Sequence, residues 1–572
     1  MDASTVEKTL SCDEARSGKL GLALSGGGFR AALFHIGVLA RLAERDLLRH
    51  VAVISTVSGG SIIGASYYLK VKQLLEGTRA DGLQPCAEAY RTLVRELELE
   101  FLPAMQRNLR ILTFADRFDN ARMLASEFSS SERLAKLFDT CFFPAAAGDG
   151  RTLLKDLPIQ PAAGVQAVAP LLLLNATALN TGHQFQMTGG FVGETEPSSV
   201  AGGTAAMPRL PRLEMGDPAL SLRQRHRLHQ LSLGEAVAAS CCVPGLFEPF
   251  SLEGLYRDDQ GNAVTVRLVD GGIFDNQGLV ALFEEHCSHF ICSDASESLQ
   301  WQPQPTELIH QVAMRANDIM MDRIRHETMA ELPRERPDRY AVFTLGEDDG
   351  STALGADSSD FLQALRAIRT DLDAFSDLEA WSLMYHGFSL SGMRLGEATA
   401  DDARSGEGED WRFRRIEALA DDPAQRRRLL RHLEVGSRQF LKVFYLGRPM
   451  PWVVIALLSL IPLGLLALFI YLLPPIPRSA WLVLGVIALT AVAFIQNTRI
   501  VEWLDQVQWL RPVRRKLANT LRPVGATMLL GALGALSSWI NLRIFNRLFL
   551  RYGRLRDQSK PRHNMLRSSG NL

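Results

Sequence analysis

Cysteine is scarce in this chain and follows no pattern. The 572 residues hold seven, namely Cys12, Cys86, Cys141, Cys241, Cys242, Cys287 and Cys292. The number is odd and no CxxC pair occurs, which argues against a zinc site and for free thiols in a reducing compartment. An excess of charge is missing too: 62 Lys and Arg against 63 Asp and Glu leave a net charge of −1. That balance argues against a nucleic-acid partner held by bulk charge. There is no internal repeat and no acidic loop suited to calcium, and no metal or other cofactor is expected. The opening MDASTVEKTLSCDEARSGK has no apolar stretch, so a cleaved secretory signal is not expected and the N-terminal part is placed in the cytosol.

What is there divides the chain, which is too long for one compact core. A polar tail covers 1–17. Residues 18–395 read as mixed α/β, 396–448 as a charged helical connector, and 449–572 as an apolar region with a basic tail. Within the second part, KLGLALSG is a buried strand ending in glycines, and the residues after it have apolar positions at helical spacing. HVAVISTV followed by GGSIIGASYYLKVKQLLE repeats strand then helix. APLLLLNATALN, TVRLVDGG and HFICSDAS are further strands. The alternation predicts a mostly parallel sheet covered by helices, in three α/β/α layers. About 70–140 reads as helical, and about 189–227, rich in Gly, Pro, Ser and Arg, as a long mobile loop.

Three serines crowd the second strand end in VISTVSGGSIIG. A serine nucleophile on such a sheet sits at a tight strand-to-helix turn, with small residues two places before and after it. Ser55 and Ser61 have Val57 and Ile63 at the second place and fail. Ser58, between Thr56 and Gly60, alone fits. A hydroxyl attacking a carbonyl also needs a base and donors for the oxyanion. SGGGFRA supplies candidate donors in the backbone N–H groups of Gly26, Gly27 and Gly28, at the positive end of the following helix. Arg30 is either an anion contact or an anchor for the loop. The same stretch has a rival reading as a dinucleotide fingerprint, Gly26-x-Gly28-x-x-Ala31. That fold requires an acid at the end of the second strand, and STVSGG has none.

For the base, the histidines His35, His183, His226, His229, His286, His289, His310, His326 and His386 are dispersed, and none sits in a turn after a strand. Asp270, in RLVDGGIFDNQG, ends an apolar strand and is followed by two glycines. It is either an acid exposed for chemistry or a cap of its own turn.

Taken together, SGGGFRA, TVSGG, AASCCVPGLFEPF and the DGG at Asp270 stand in the order found in patatin-like phospholipases, and the sequence resembles that family over about 18–295. Two positions depart from its pattern: Ala31 closes the glycine loop, and Thr56 stands where the elbow has Gly. The resemblance implies a serine lipid acyl hydrolase with a Ser58–Asp270 dyad and an oxyanion hole at Gly26, Gly27 and Gly28. The substrate implied is a fatty-acyl ester of a phospholipid or lysophospholipid, cleaved through an acyl-enzyme. The alternative is a lipid-binding or scaffolding membrane protein whose lipase-like domain does not turn over.

In the C-terminal region, 452–473 and 480–496 carry no charge and are long enough for a hydrocarbon core of about 30 Å. They predict a transmembrane hairpin, with an interfacial 497–523 and a re-entrant or third segment at 524–542. The expectation is therefore an integral membrane protein with a cytoplasmic catalytic domain facing its bilayer, in a bacterial inner membrane or another cytosol-facing membrane. Oligomeric state is left open.

Overall fold

Five consecutive buried residues, Leu20–Leu24, require cover on both faces of a strand. In the computed structural model this run is β1 (Leu20–Leu24). The structure describes residues 10, 12–113, 115, 129–144, 150–194, 209–296, 299, 301–305, 309–335, 339–347, 358–395, 411–420, 422–438, 442–446 and 538–555. β1 is flanked in parallel by β2 (Val51–Val57) and β9 (His289–Asp294). β3 (Leu171–Ala178) adds in parallel to β2, and β10 (Tyr340–Thr344) to β9. Beyond β3 the ten-stranded sheet turns antiparallel through β4 (Gln184–Met187), β5 (Phe191–Glu194) and β6 (Leu213–Glu214), while β7 (Phe250–Arg257) and β8 (Ala263–Asp270) form a hairpin.

The two-residue period of the strands sorts their side chains into two cores. Leu22, Leu24, Ile54, Leu172, Leu174 and Ile291 face the larger helical layer. It contains α1 (Gly28–Glu44), α2 (Gly59–Leu75), α3 (Ala87–Met105), α4 (Leu233–Cys241), α6 (Asp377–Arg394) and α7 (Pro423–Gly436). Ala23, Val53, Leu173, Phe290 and Cys292 face the other side, where Leu279–Glu284 and the end of α5 (Ile309–Glu335) cover them. The α/β/α layering expected from the sequence is the fold observed. Ser–x–x–Glu capping boxes at Ser232/Glu235 and Ser376/Glu379 set where α4 and α6 begin.

Three sequence expectations change. The loop expected at 189–227 is structured at both ends, by β5 and β6 and by a helix at Leu222–His229 with its own Ser221/Gln224 box; 195–208 lie outside the described residues. The connector expected at 396–448 is part of the domain where it is described. Phe413, Ile416, Leu429 and Leu433 belong to the large core, and Phe413 N donates to buried Glu98 (2.7 Å). Burial pushes the Glu98 carboxyl up to about 7.

The third change is a correction. Among the described residues no helix is long and apolar enough to cross a membrane, which overturns the integral-membrane placement. The long helices are charged at short intervals: α5 carries Arg315, Asp318, Asp322, Arg323 and Arg325 along its length. The segments 452–473, 480–496 and 497–523, and 524–542 up to residue 537, lie outside the described residues. The described end of the chain packs on the α/β domain, where Phe549 of α8 (Arg547–Tyr552) stacks on His432 at 4.9 Å.

The closest helix seam is between α1 and α6. A Cβ on Gly37 would lie 1.8 Å from Met384 O, and one on Gly387 2.3 Å from Phe34 O. The two backbones touch with no room for a methyl group. Gly37→Ala and Gly387→Ala should each destabilise the domain by about 1–3 kcal/mol, the usual scale of overpacking. Chemical denaturation followed by far-UV circular dichroism reads this directly, and unchanged midpoints would contradict the seam.

Candidate active site

The site forms where two strands meet end to end. β2 occupies one edge of β3 as far as Val57, opposite Asn175. The same edge then continues with β8, where Asp270 stands opposite Ala176, because β4 takes the other edge over Leu174–Thr177. Ser58, the residue after β2, and Asp270, the last of β8, therefore meet.

Ser58 has φ 49° and ψ −118°. A positive φ is rare for a residue with a Cβ, and such strain persists only where neighbours enforce it. They do so here. Ser58 N–H donates to Ser240 Oγ (2.9 Å), and Ser240 Oγ donates to Asn175 O (2.6 Å). Asn175 Nδ2 donates to Thr56 O (3.0 Å) and Ser55 Oγ (2.9 Å). The helix after the turn approaches closely: a Cβ on Gly60 would lie 2.2 Å from Leu24 O, and one on Gly59 2.0 Å from Gly28 O. Thr56, the departure from glycine, fits because Gly64 makes room. A Cβ there would be 2.5 Å from Thr56 Cγ2, while Thr56 Oγ1 donates to Leu173 O and accepts from Ser61 Oγ.

Asp270 is buried. Its Oδ1 accepts from Gly272 N–H (2.8 Å), and its backbone is held by Cys242 O and the Thr177 hydroxyl. Its Oδ2 is buried with no hydrogen-bond partner among the described residues. Burial pushes the carboxyl up to about 6, against a smaller opposing pull from the Ser58 hydroxyl and Gly272 N–H. Ser58 is thus close enough to favour the carboxylate, but the bond to Oδ2 does not close in this geometry. Cys241, next to Ser240, also borders Ser58, and burial pushes its thiol up, away from thiolate.

The glycine loop lies against this elbow: a Cβ on Gly59 would sit 2.8 Å from Gly28 N. Gly27 and Gly28 have φ of 131° and 59°, conformations open to glycine. Gly27 caps α1 and Gly28 begins it, and their N–H groups have no backbone acceptor among the described residues. Gly26 differs from the expectation for three free amides, since its N–H donates to Asn276 O (3.0 Å). A Cβ on Gly26 would strike Asn276 Oδ1 at 2.3 Å, and one on Gly272 would lie 2.6 Å from that atom. Asn276 thus sits between the glycine loop and the Asp270 turn. Arg30 is buried and donates to Arg366 O (3.1 Å), Ile368 O (3.0 Å) and Ala295 O (3.0 Å).

Several histidines are engaged elsewhere. His35 Nε2 donates to Ser25 O (3.0 Å) and its Nδ1 pairs with Ser293 Oγ (2.7 Å); burial lowers it to about 4. His183 faces Glu194, His229 bonds Met215 O and His386 bonds Leu345 O. The sequence reading missed Ser240, Asn175 and Asn276. Ser240 lay inside the quoted AASCCVPGLFEPF and Asn276 inside RLVDGGIFDNQG, but nothing in their local pattern tells which distant backbone each meets.

The patatin-like phospholipase family model matches residues 22–283, so this part of the chain is similar to that family. No curated protein matches the chain in sequence. Among solved structures, human GIVD cytosolic phospholipase A2 with methyl gamma-linolenyl fluorophosphonate aligns at 15% identity and TM-score 0.33, over 73% of this chain and 60% of that one. The chain thus spans about 60% of the length of that phospholipase. VipD from Legionella pneumophila aligns at 15% identity and TM-score 0.27, over 91% of each chain.

Burial of Asp270 has a consequence for stability. Its folded value, about 6, lies above that of an unfolded aspartate. The folded state therefore holds the proton more tightly, and this group's contribution to stability is lost as pH rises from about 4 to about 6. A shift of roughly two units corresponds to about 3 kcal/mol. Asp270→Asn removes the effect, so the stability of the variant relative to wild type should rise by up to that amount between pH 4 and pH 7.5. Denaturant titrations at the two pH values measure it, and a difference that does not change with pH would contradict the buried, proton-binding carboxyl.

Proposed function

We propose that the patatin-like domain is a serine lipid acyl hydrolase that cleaves fatty-acyl esters of phospholipids or lysophospholipids. The observation that carries this is the strained Ser58 turn beside a buried carboxyl with one unpartnered oxygen. Ser58 Oγ attacks the ester carbonyl, and its proton passes to Asp270 Oδ2. The carbonyl oxygen becomes an oxyanion held by the N–H groups of Gly27 and Gly28, at the positive end of α1. The alcohol of the lipid leaves with the proton, giving an acyl-Ser58 ester. Water attacks that ester, Asp270 accepts the water's proton, and the fatty acid is released as Ser58 Oγ regains a proton. Gly26 leaves room for Asn276, and Arg30 anchors the loop. A carboxyl with a value near 6 is ionised at neutral pH yet more basic than an ordinary aspartate, which suits a general base.

Ser58→Ala should abolish both ester hydrolysis and covalent labelling by a fluorophosphonate probe. Ser55→Ala and Ser61→Ala should retain labelling at Ser58, identified by peptide mass spectrometry. A Ser58→Ala protein that still labels stoichiometrically at another serine would overturn the assignment.

The base has a pH signature. Since Asp270 acts ionised, kcat/KM should increase with pH through about 6 and then level off. Asp270→Asn should lower kcat by at least about 10²-fold and remove that limb from the profile. A folded histidine variant as inactive as Asp270→Asn would indicate a triad.

A further inference from the structure

The glycine loop is supported from behind by a segment that the proposed chemistry does not use. Residues 366–373 run past it. Arg30 donates to Arg366 O and Ile368 O, Phe29 N donates to Asp371 O (3.3 Å), and a Cβ on Gly28 would lie 2.2 Å from Thr370 O. The path of this segment therefore decides where the N–H groups of Gly27 and Gly28 point.

The segment is itself fixed by a buried cluster of opposite charges. Arg369 Nη1 donates to Glu379 Oε1 (2.6 Å) and Gly436 O (2.9 Å), and its Nε is 3.0 Å from Asp373 Oδ2. Lys442 Nζ donates to Asp373 Oδ2 (2.5 Å), and Arg110 Nη1 to Asp371 Oδ2 (2.8 Å). Three cations thus meet three carboxylates. Such pairs are strong and directional only while water is kept out.

The cover comes from the other end of the chain. Phe549 is 1% exposed; its ring stacks on His432, with Lys442 Nζ 4.2 Å from its centroid and Arg369 Cζ at 5.9 Å. Residues around it are pinned by Asn546 Nδ2 to Gln106 O (3.2 Å), Arg428 Nη2 to Tyr552 O (2.7 Å) and Leu378 N to Gly553 O (3.1 Å). The fit is close at Gly553, where a Cβ would lie 2.5 Å from His432 Nε2, while a small cavity remains between Asn546, Arg110 and Asp373.

We infer that the C-terminal arm, residues 541–555, is a positioning element of the hydrolase site. By covering the Arg369 cluster it holds segment 366–373, and through that segment it aims the Gly27 and Gly28 N–H groups at the oxyanion. The inference rests on the hydrolase reading above. It assigns Phe549 and Arg369 a role in the transition state, not in substrate binding. Loosening the arm displaces oxyanion donors, and a displacement of about 1 Å costs up to about 10²-fold in rate. The signature is therefore a fall in kcat with KM kept.

The test uses the full chain and a short-chain nitrophenyl ester, with fluorophosphonate labelling of Ser58 as a second rate. Phe549→Ala should lower kcat and the labelling rate by about tenfold or more, with KM within about twofold. Phe549→Leu, which refills most of the volume, should recover most of the loss. The gentler Asn546→Ala, which removes one pin and leaves no large cavity, should lower kcat by about threefold; it decides the matter if Phe549→Ala does not fold. Phe413→Ala, a buried aromatic in the core beside α6, provides a matched loss of Tm and should leave kcat unchanged. A folded Phe549→Ala or Asn546→Ala protein with wild-type kcat overturns the inference, as does a Phe413→Ala protein that loses kcat equally. A wild-type protein that neither cleaves the ester nor labels at Ser58 overturns the hydrolase reading itself, and the inference with it.

Discussion

The site depends on a single edge of β3. β2 and β8 run toward each other along it and stop where Asn175 gives way to Ala176. Neighbouring strands lie about 4.8 Å apart and keep a fixed register. The end of one strand and the end of the other are therefore brought together by the same hydrogen-bond ladder that holds the sheet. Ser58 and Asp270 are far apart in sequence, and no local interaction could bring them together. The backbone carbonyls of β3 continue the work: Asn175 O receives Ser240, and Ser240 in turn receives Ser58 N–H. A register slip of β8 by one residue would turn Asp270 to the opposite face.

Two unfavourable features are concentrated at that junction. One is the positive φ of Ser58, and the other is a buried carboxyl with an unpartnered oxygen. Strain of this kind costs about 1–3 kcal/mol, and a buried polar atom without a partner costs a similar amount. Neither would persist on a flexible loop. Here Ser55, Thr56, Ser61, Asn175 and Ser240 form one connected set of hydrogen bonds beneath the turn, with Asn175 Oδ1 left without a partner among the described residues. The strain and the unpartnered carboxyl oxygen fall on the two residues that the proposed reaction requires.

Much of this was legible in the sequence, for identifiable reasons. Apolar runs ending in glycine or a polar residue gave β1, β2 and β3 close to their observed positions, because a strand covered on both faces must be apolar throughout; β8, with Arg267 exposed, was legible from the apolar Leu268 and Val269 before Asp270. The turn around Ser58 was legible because small residues are obligatory where a helix leaves a strand so abruptly. What escaped was long-range. That Gly26 gives its N–H to Asn276, that Ser240 supports Ser58, and that the stretch after Trp411 belongs to the core depend on packing between segments whose local pattern is silent. The connector misled because its surface is crowded with arginine, while a few apolar residues spread over its short helices, among them Phe413, Ile416, Leu429 and Leu433, dock it on the core. The reading of 189–227 failed similarly: a Gly- and Pro-rich composition conceals two short strands that need only a few residues each.

The backbone-to-backbone seam of α1 against α6 bears on how substrates reach the site. α1 starts at the glycine loop, and helices that touch through Gly37 and Gly387 are locked in axial position, with no side-chain layer to shear. The glycine loop thus belongs to a rigid block, and a lipid of the kind proposed cannot gain room for its acyl chain by sliding that helix aside. Under the proposed function, room for such a chain has to come from elements other than α1 and α6.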